Sequence, residues 1–267
     1  MLEFELKQIP ETVLEVFSIT PGSIRNTKCV DILRQPIRLG NTVTEIGDWF
    51  SVSGDGSDLH HIWNGDLSRV HGLGYQMSDG QIQVNGDVGN HLGSRMTGGT
   101  IRVQGSAGHY TGAELHGGLI HVQENVGDGT GSAYDGGALG QNGGAILVQG
   151  SAGHDVGRGM RRGLIGIGGT AQQRCGFTMR AGTIMVLGGV SGQAGLEMVR
   201  GTIMLGGLAA PLATRFANAG QQKFPVTNII SRYANGLGFV HNWNSHTWNL
   251  FHGDLLCGGR GELLMAG

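Results

Sequence analysis

Arginines offer the first chemical possibility in this sequence. Arg161 and Arg180 lie 19 residues apart, with Arg162 and Arg200 beside them in the same local pattern. Guanidiniums gathered on one edge would hold an acidic group, such as a carboxylate-bearing cofactor tail or an acidic loop of a partner, or would stand as a solvated face. Asn90, His109, Asp128, His154 and Gln173 form a second recurring set. Histidine and carboxylate suit zinc, but zinc takes ligands at about 2.0–2.2 Å in a tetrahedral array, whereas a column offers one plane. A hydrogen-bonded surface ladder is the better reading of that set. His60, His61, His241, His246 and His252 have no metal-motif spacing and are expected to be structural or contact residues. Cys29, Cys175 and Cys257 are too far apart for a disulfide framework or a CxxC site. The sequence contains no GxxxxGK[ST] phosphate loop, GxSxG turn, HExxH pair or RTX calcium repeat. Glycine strings such as Gly188-Gly-Val-Ser-Gly192 lie in no long βαβ unit, and no paired carboxylates recur in a groove-like column. Catalytic residues, a bound metal and a directly bound cofactor are therefore not expected.

Composition narrows the class further. With 18 basic and 20 acidic residues, the formal charge of -2 gives no electrostatic case for nucleic acid. Hydrophobic residues reach 39%, enough to bury a core. No apolar run of about 18 residues is available to span a bilayer. The alternately charged and apolar start, Met1-Leu-Glu-Phe-Glu-Leu-Lys7, is unlike a signal peptide, so a cytoplasmic location is the default expectation.

The elements that must position these residues are short and repeated. Of the 52 glycines, 35 fall within residues 81–207. Segments beginning at Gln81, Thr100, Leu119, Ala145, Leu164, Thr183 and Thr202 align with steps of 19, except for one of 26 that carries a seven-residue insertion. The second position of the unit is always Ile: Ile82, Ile101, Ile120, Ile146, Ile165, Ile184 and Ile203. Two residues on lies a column of Val, Ile or Leu, which is the spacing of a very short strand with both side chains on one face. Further apolar columns fall at position 8 (Val88, Ala107, Val126, Ala152, Ala171, Val190) and position 12 (Leu92 to Ala194). Position 16 reads Met96, Leu115, Tyr134, Met160, Met179 and Met198. Position 13 is Gly in the first six units (Gly93, Gly112, Gly131, Gly157, Gly176, Gly195), which fits a corner with positive φ or a close approach of backbones. A flat coil cannot shield its own core, but stacked coils can, each backbone pairing with the next at about 4.8 Å. The expected fold is all-β: a single-stranded parallel β-helix of about seven 19-residue coils. An N-terminal cap (1–59) would precede the β-helix (60–216), and an irregular C-terminal tail (217–267) would pack on it or on a partner. Asn64-Gly-Asp-Leu67 resembles Asn85-Gly-Asp-Val88 and marks a divergent first coil.

Outward strand positions pass from polar in early coils (Gln81, Gln83, Arg102, Gln104) to apolar in late ones (Leu147, Leu164, Met185, Leu187, Met204). Two coverings remain open: the aromatic tail (Phe224, Tyr233, Phe239, Trp243, Trp248, Phe251) folding back, or another polypeptide of an assembly. The seven-residue insertion lies in Gly131-Ser-Ala-Tyr-Asp-Gly-Gly-Ala-Leu-Gly-Gln-Asn-Gly-Gly144 and projects a loop whose Tyr134, Asp135 and Leu139 are candidate partner contacts.

The Gly/Ile/Val/Met coils resemble the glutamate-synthase-type GXGXG β-helix. The chain from about residue 30 onward resembles the C-type subunits of formylmethanofuran dehydrogenase and of the bacterial formyltransferase/hydrolase complex. The resemblance rests on Ile46-Gly-Asp-Trp-Phe50 entering the first coil, Asn64-Gly-Asp66, and the insertion with Ala133-Tyr-Asp135. It is completed by the closing Gly253-Asp254 and Gly259-Arg-Gly-Glu-Leu263. It implies a right-handed parallel β-helix and a scaffold role with no catalytic residues of its own, in a complex that handles formyl groups on a methanofuran-type carrier and a tetrahydromethanopterin-type carrier. The implied partners are amidohydrolase-like (A-type), B-type and formyltransferase-like (D-type) subunits. A poly-glutamyl carrier tail would suit Arg161, Arg162 and Arg180. An acyltransferase-like β-helix enzyme would instead show hexapeptide periodicity and 18-residue coils, and a free-standing relative of glutamate synthase would lack these flanks.

Overall fold

The structure is a computed structural model that describes residues 1–207, 214–241, 243 and 246–266. Among these, thirteen strands form one large sheet. In chain order they are β1 (Leu2–Leu6), β2 (Phe50–Gly54), β3 (His60–Asn64), β4 (Gln81–Asn85), β5 (Thr100–Val103), β6 (Leu119–Val122) and β7 (Asn142–Val148). They continue with β8 (Arg162–Ile167), β9 (Thr183–Val186), β10 (Thr202–Leu205), β11 (Ala217–Gln222), β12 (Trp248–Gly253) and β13 (Gly261–Ala266). From β3 to β10 each strand pairs in parallel with the next, and the invariant isoleucines stack in register from Ile82 to Ile203. A second ladder, made of single bridges, joins Leu67, Val88, Ala107, Val126, Ala152, Ala171 and Val190. Each repeat thus contributes one strand to the sheet and one residue to this opposing column, with the core between them.

The glycines of position 13 hold that geometry. Gly93, Gly112, Gly131, Gly157, Gly176 and Gly195 all have φ between +59° and +69°. A Cβ on Gly112 would lie 2.4 Å from Ile146 Cδ1, and one on Gly157 would lie 2.5 Å from Ile184 Cδ1. Any larger residue there meets a disfavoured backbone conformation and a buried side chain, an isoleucine at every corner but Gly195, where a Cβ would lie 2.6 Å from Met198 Sδ.

The insertion resets one column. Hydrogen bonds from Asn142 N to Leu115 O and from Arg161 N to Gln141 O place Gln141, not Tyr134, between Leu115 and Met160 at position 16. Gln141 is fully buried, and its Nε2 donates to the carbonyls of Gly143 and Gly144, both at 3.0 Å. The expectation of Tyr134 in the inward column is corrected accordingly. The seven extra residues are 134–140, and the core position they displaced is filled by an amide that bonds to its own turn.

At the N-terminal end β1 pairs in parallel with β3, and β2 pairs antiparallel with β1 to form the edge of the sheet. Ile46-Gly-Asp-Trp-Phe50 therefore makes a helical turn (Ile46–Trp49) that leads into the edge strand rather than straight into a coil. A smaller four-stranded sheet, Thr42–Glu45, Pro36–Leu39, Leu14–Glu15 and Val70–His71, packs beside the early coils. β3 pairs with β4 at a step of 21, His60 opposite Gln81, so it is a divergent first rung. The described tail is regular, not irregular. It forms β11, a helix (Pro225–Gly236), β12 and β13, and β13 returns to lie parallel to β10 as a further rung. Pro225 in the first helical turn fits a helix start, where its missing N–H leaves no bond unmade.

His61 occupies the register position of the isoleucine column, opposite Ile82. It is fully buried against the Phe4 ring, 5.4 Å away, and neither ring nitrogen has a hydrogen-bond partner. Burial pulls its imidazole from the ordinary 6.5 down to about 4. The unfolded chain therefore binds a proton near pH 6.5 that the folded chain refuses until about pH 4. This stability is complete above pH 6.5 and is lost as pH falls toward 4. His61→Ile should remove on the order of 2 kcal/mol of the stability lost between pH 7 and pH 5. Burial also lowers His71, His91 and His121, so the test compares the pH dependence of urea unfolding in variant and parent. Equal slopes would exclude His61 as the source.

Candidate functional site

Stacking converts each repeat position into a ladder, and three ladders bear on function. The first is the His/Asp column. Asn90 Oδ1 accepts from His109 N at 2.9 Å, His109 Nδ1 from Asp128 N at 2.9 Å, and Asp128 Oδ1 from His154 N at 2.7 Å. The side chains serve the backbone of the next coil, as a surface ladder should. Among the described residues no group of three or more His, Cys, Asp or Glu could hold a metal ion. Cys175 is buried in the core, where desolvation pushes its thiol up to about 12.

The second is the arginine edge. Arg161, Arg162 and Arg180 are all exposed, on consecutive coils, and Arg200 extends the line by one more. Pairing of Thr202 with Glu262 brings Arg260 level with Arg200, a member that the count of repeats did not reach. Its signal is present in the sequence: Arg162-Gly-Leu-Ile165, Arg200-Gly-Thr-Ile203 and Arg260-Gly-Glu-Leu263 share one pattern. Among the described residues none of these five guanidiniums makes an ion pair. Like charges on adjacent rungs repel, so the edge favours an anion.

The third is the apolar outward face of the late coils. Leu147, Met185 and Met204 are fully buried, packed with Ala234, Phe239, Trp243, Trp248, Leu250 and Leu264 of the chain's own tail. Leu187 is partly buried against the same cluster. Gly166 supplies the notch: a Cβ there would lie 3.0 Å from the Phe239 ring. Of the two coverings open for these four residues as candidate partner contacts, the structure puts the chain's own tail in place rather than another polypeptide. The tail covers them, because its aromatic side chains match an apolar column that water would otherwise wet.

The insertion is likewise fastened from within. Tyr134 is half-buried, its hydroxyl 3.0 Å from His91 Nδ1 and its ring 5.1 Å from Tyr110, with the Arg95 guanidinium 5.5 Å above it. Burial raises the Tyr134 phenol above its usual value. Asp135 accepts from Arg158 Nη2 at 2.8 Å and from the Tyr110 hydroxyl at 3.1 Å. The Arg158 hydrogen bond holds its carboxyl below the ordinary carboxylate range. Leu139 alone of the three candidates projects an apolar side chain into solvent. It lines a 350 Å³ hollow with Glu114, His116, Ala138, Gly140 and Asn142.

The fold and these surfaces define a glycine-rich stacked-repeat protein whose outward ladders are either satisfied within the chain or presented for contact. No protein-family model matches the sequence. A chain of the formyltransferase/hydrolase complex (FhcABCD) from Methylorubrum extorquens, solved with methylofuran, shares 31% identity and a TM-score of 0.91 over 99% of both chains. The C-type subunit of tungsten-containing formylmethanofuran dehydrogenase 2 from Methanothermobacter marburgensis is 35% identical over 86 residues. That segment is 31% of this chain and 32% of the relative. The counterpart from Methanothermobacter thermautotrophicus is 34% identical over 86 residues. The chain therefore spans about a third of the length of the curated relatives it matches. It belongs to the family of C-type subunits found in formylmethanofuran dehydrogenases and formyltransferase/hydrolase complexes.

If the chain's own coils hold the insertion, Tyr134→Ala should destabilise the isolated protein by about 2 kcal/mol, the order expected for truncating a half-buried aromatic ring. It should also hasten proteolytic cleavage within residues 136–140. Denaturant unfolding and limited proteolysis check this. An unaltered isolated chain would mean that a partner, not these coils, fixes the loop.

Proposed function

We propose that this chain is the scaffold (C-type) subunit in a formyltransferase/hydrolase complex of tetrahydromethanopterin-linked one-carbon metabolism, with no reaction centre of its own. It would be a right-handed, single-stranded parallel β-helix that joins amidohydrolase-like (A-type), B-type and formyltransferase-like (D-type) subunits. The observation that carries this reading is the match, along the whole length of both chains, to a member of the complex solved with methylofuran. The short dehydrogenase match is compatible with it but covers far less of the chain. The 19-residue register and the second ladder of single bridges support the β-helix. No helix among the described residues is long and apolar enough to cross a membrane, in keeping with a cytoplasmic assembly. Purification of the tagged chain from its own cells should bring down amidohydrolase-like and formyltransferase-like polypeptides in fixed ratio. A lone chain that itself turns over a formyl-carrier substrate would overturn the proposal.

Within that assembly, Arg161, Arg162 and Arg180 would receive the carboxylates of an acidic carrier tail, supported by their exposure and by the unpaired continuation through Arg200 and Arg260. Several charge-assisted bonds along one edge suit an extended polycarboxylate better than a single anion. The double variant Arg161→Glu/Arg180→Glu should weaken retention of a furan-type carrier by the purified complex by about tenfold or more. Carrier content per complex, measured by mass spectrometry, decides; an unchanged content removes the stripe from carrier binding.

A further inference from the structure

The tail helix Pro225–Gly236 has two unlike faces. Thr227, Ser231 and Ala234 are buried, and Ile230 and Leu237 pack with the aromatic cluster over the late coils. On the other side, Val226, Ile229 and Tyr233 stand 48%, 64% and 57% exposed, followed by Val240 at 79%. Their spacing places the first three on one stripe, so this is a second apolar helix face with nothing of this chain upon it among the described residues. The charged residues on the helix or just before it, Arg232 and Lys223, are both cations. From Arg200 to the end the sequence has five cations, Arg200, Arg215, Lys223, Arg232 and Arg260, against two acids, Asp254 and Glu262. Both acids are engaged: Asp254 accepts from Arg215 Nε at 3.0 Å and Glu262 from the Thr202 hydroxyl at 3.0 Å. Lys223 and Arg232, on the helix or just before it, are exposed and make no ion pair among the described residues. Immediately upstream, β11 is exposed along its whole length and forms the open edge of the large sheet without a charged residue of its own. Such an edge is ordinarily protected or paired.

We infer that residues 217–240 form a docking surface for another polypeptide of the complex, one that presents apolar side chains ringed by carboxylates. The inference rests on the assembly reading above and names the surface through which this chain would join it. The apolar stripe supplies the anchors, and Lys223 and Arg232 set orientation and choice of partner. A second copy of this chain is a poor occupant, since it would set Lys223 and Arg232 against the same cations.

The test uses the tagged full chain and the assembly purified with it. Hydrogen exchange should show backbone protection across residues 217–240 in the assembly relative to the isolated chain. Ile229→Glu should weaken association by about tenfold or more, as expected for loss of an interface anchor. Lys223→Glu/Arg232→Glu should weaken it too, and by less as salt is raised. Circular dichroism and unfolding of the isolated variants should match the parent, because the altered side chains are exposed. An assembly that forms with residues 217–240 unprotected overturns this surface and leaves the complex standing. Failure of any assembly to form overturns both readings. A doubled mass of the isolated chain that Ile229→Glu abolishes would assign the face to self-association instead.

Discussion

The structure depends on the close approach of the position-13 glycines from Gly93 to Gly176 to the isoleucine of a later coil. With φ near +65° and Ile Cδ1 about 2.5 Å from where a Cβ would sit, the corner admits only glycine. Because the corner is fixed, every coil turns at the same place and the isoleucines stack without slipping. A slip of one residue would turn the apolar pair outward, so the corner and the buried columns enforce the same register. That is why equivalent residues become ladders, and why a change in residue type along one position becomes a change in surface along the stack.

Position 3 of the strand illustrates this. It runs from Gln83 and Arg102 through His121 to Leu147, Gly166, Met185 and Met204, and Leu264 of the returning strand completes it. The tail lies where this column turns apolar. Its junction is polar: Gln149 Nε2 is 3.0 Å from His121 Nε2 and donates to Gly238 O at 3.3 Å, at the boundary between the wet and dry parts of the face. The tail thus fills the patch rather than leaving it for another chain, and its own outer surface becomes what a neighbour would meet.

The coils were legible from the sequence because a 19-residue period with invariant Ile and Gly permits one packing. The rest was less so for identifiable reasons. Tyr134 occupies the spacing of an inward residue, but the insertion begins there, and only the hydrogen bonds of Asn142 and Arg161 reveal that Gln141 took the core place. A polar residue in a column of methionines reads as surface until its amide is seen donating to nearby carbonyls. Arg260 was hidden because more than fifty residues of a different pattern separate it from the last repeat, although its Arg-Gly-x-Leu context matched. The tail helix gave little warning, since its buried face is built of Thr227, Ser231 and Ala234, small residues whose burial reflects close packing and not hydrophobicity.

The distribution of satisfied and unsatisfied groups supports the scaffold role proposed for this chain. His109 and Asp128 are bound to backbone amides, Tyr134 and Asp135 to neighbouring coils, and Asp254 to Arg215, so moving any of them toward a substrate would break a bond already made. Two features of the described surface stand uncommitted on or near the late coils: a line of guanidiniums along one edge, and an apolar helix face that follows an open strand edge in the chain. Neither holds a base poised to take a proton or a nucleophile beside an activating partner. Both are suited to holding something else in place. A rigid stack makes that holding efficient, because side chains fixed on ordered rungs lose little further freedom when a neighbour or a carrier arrives.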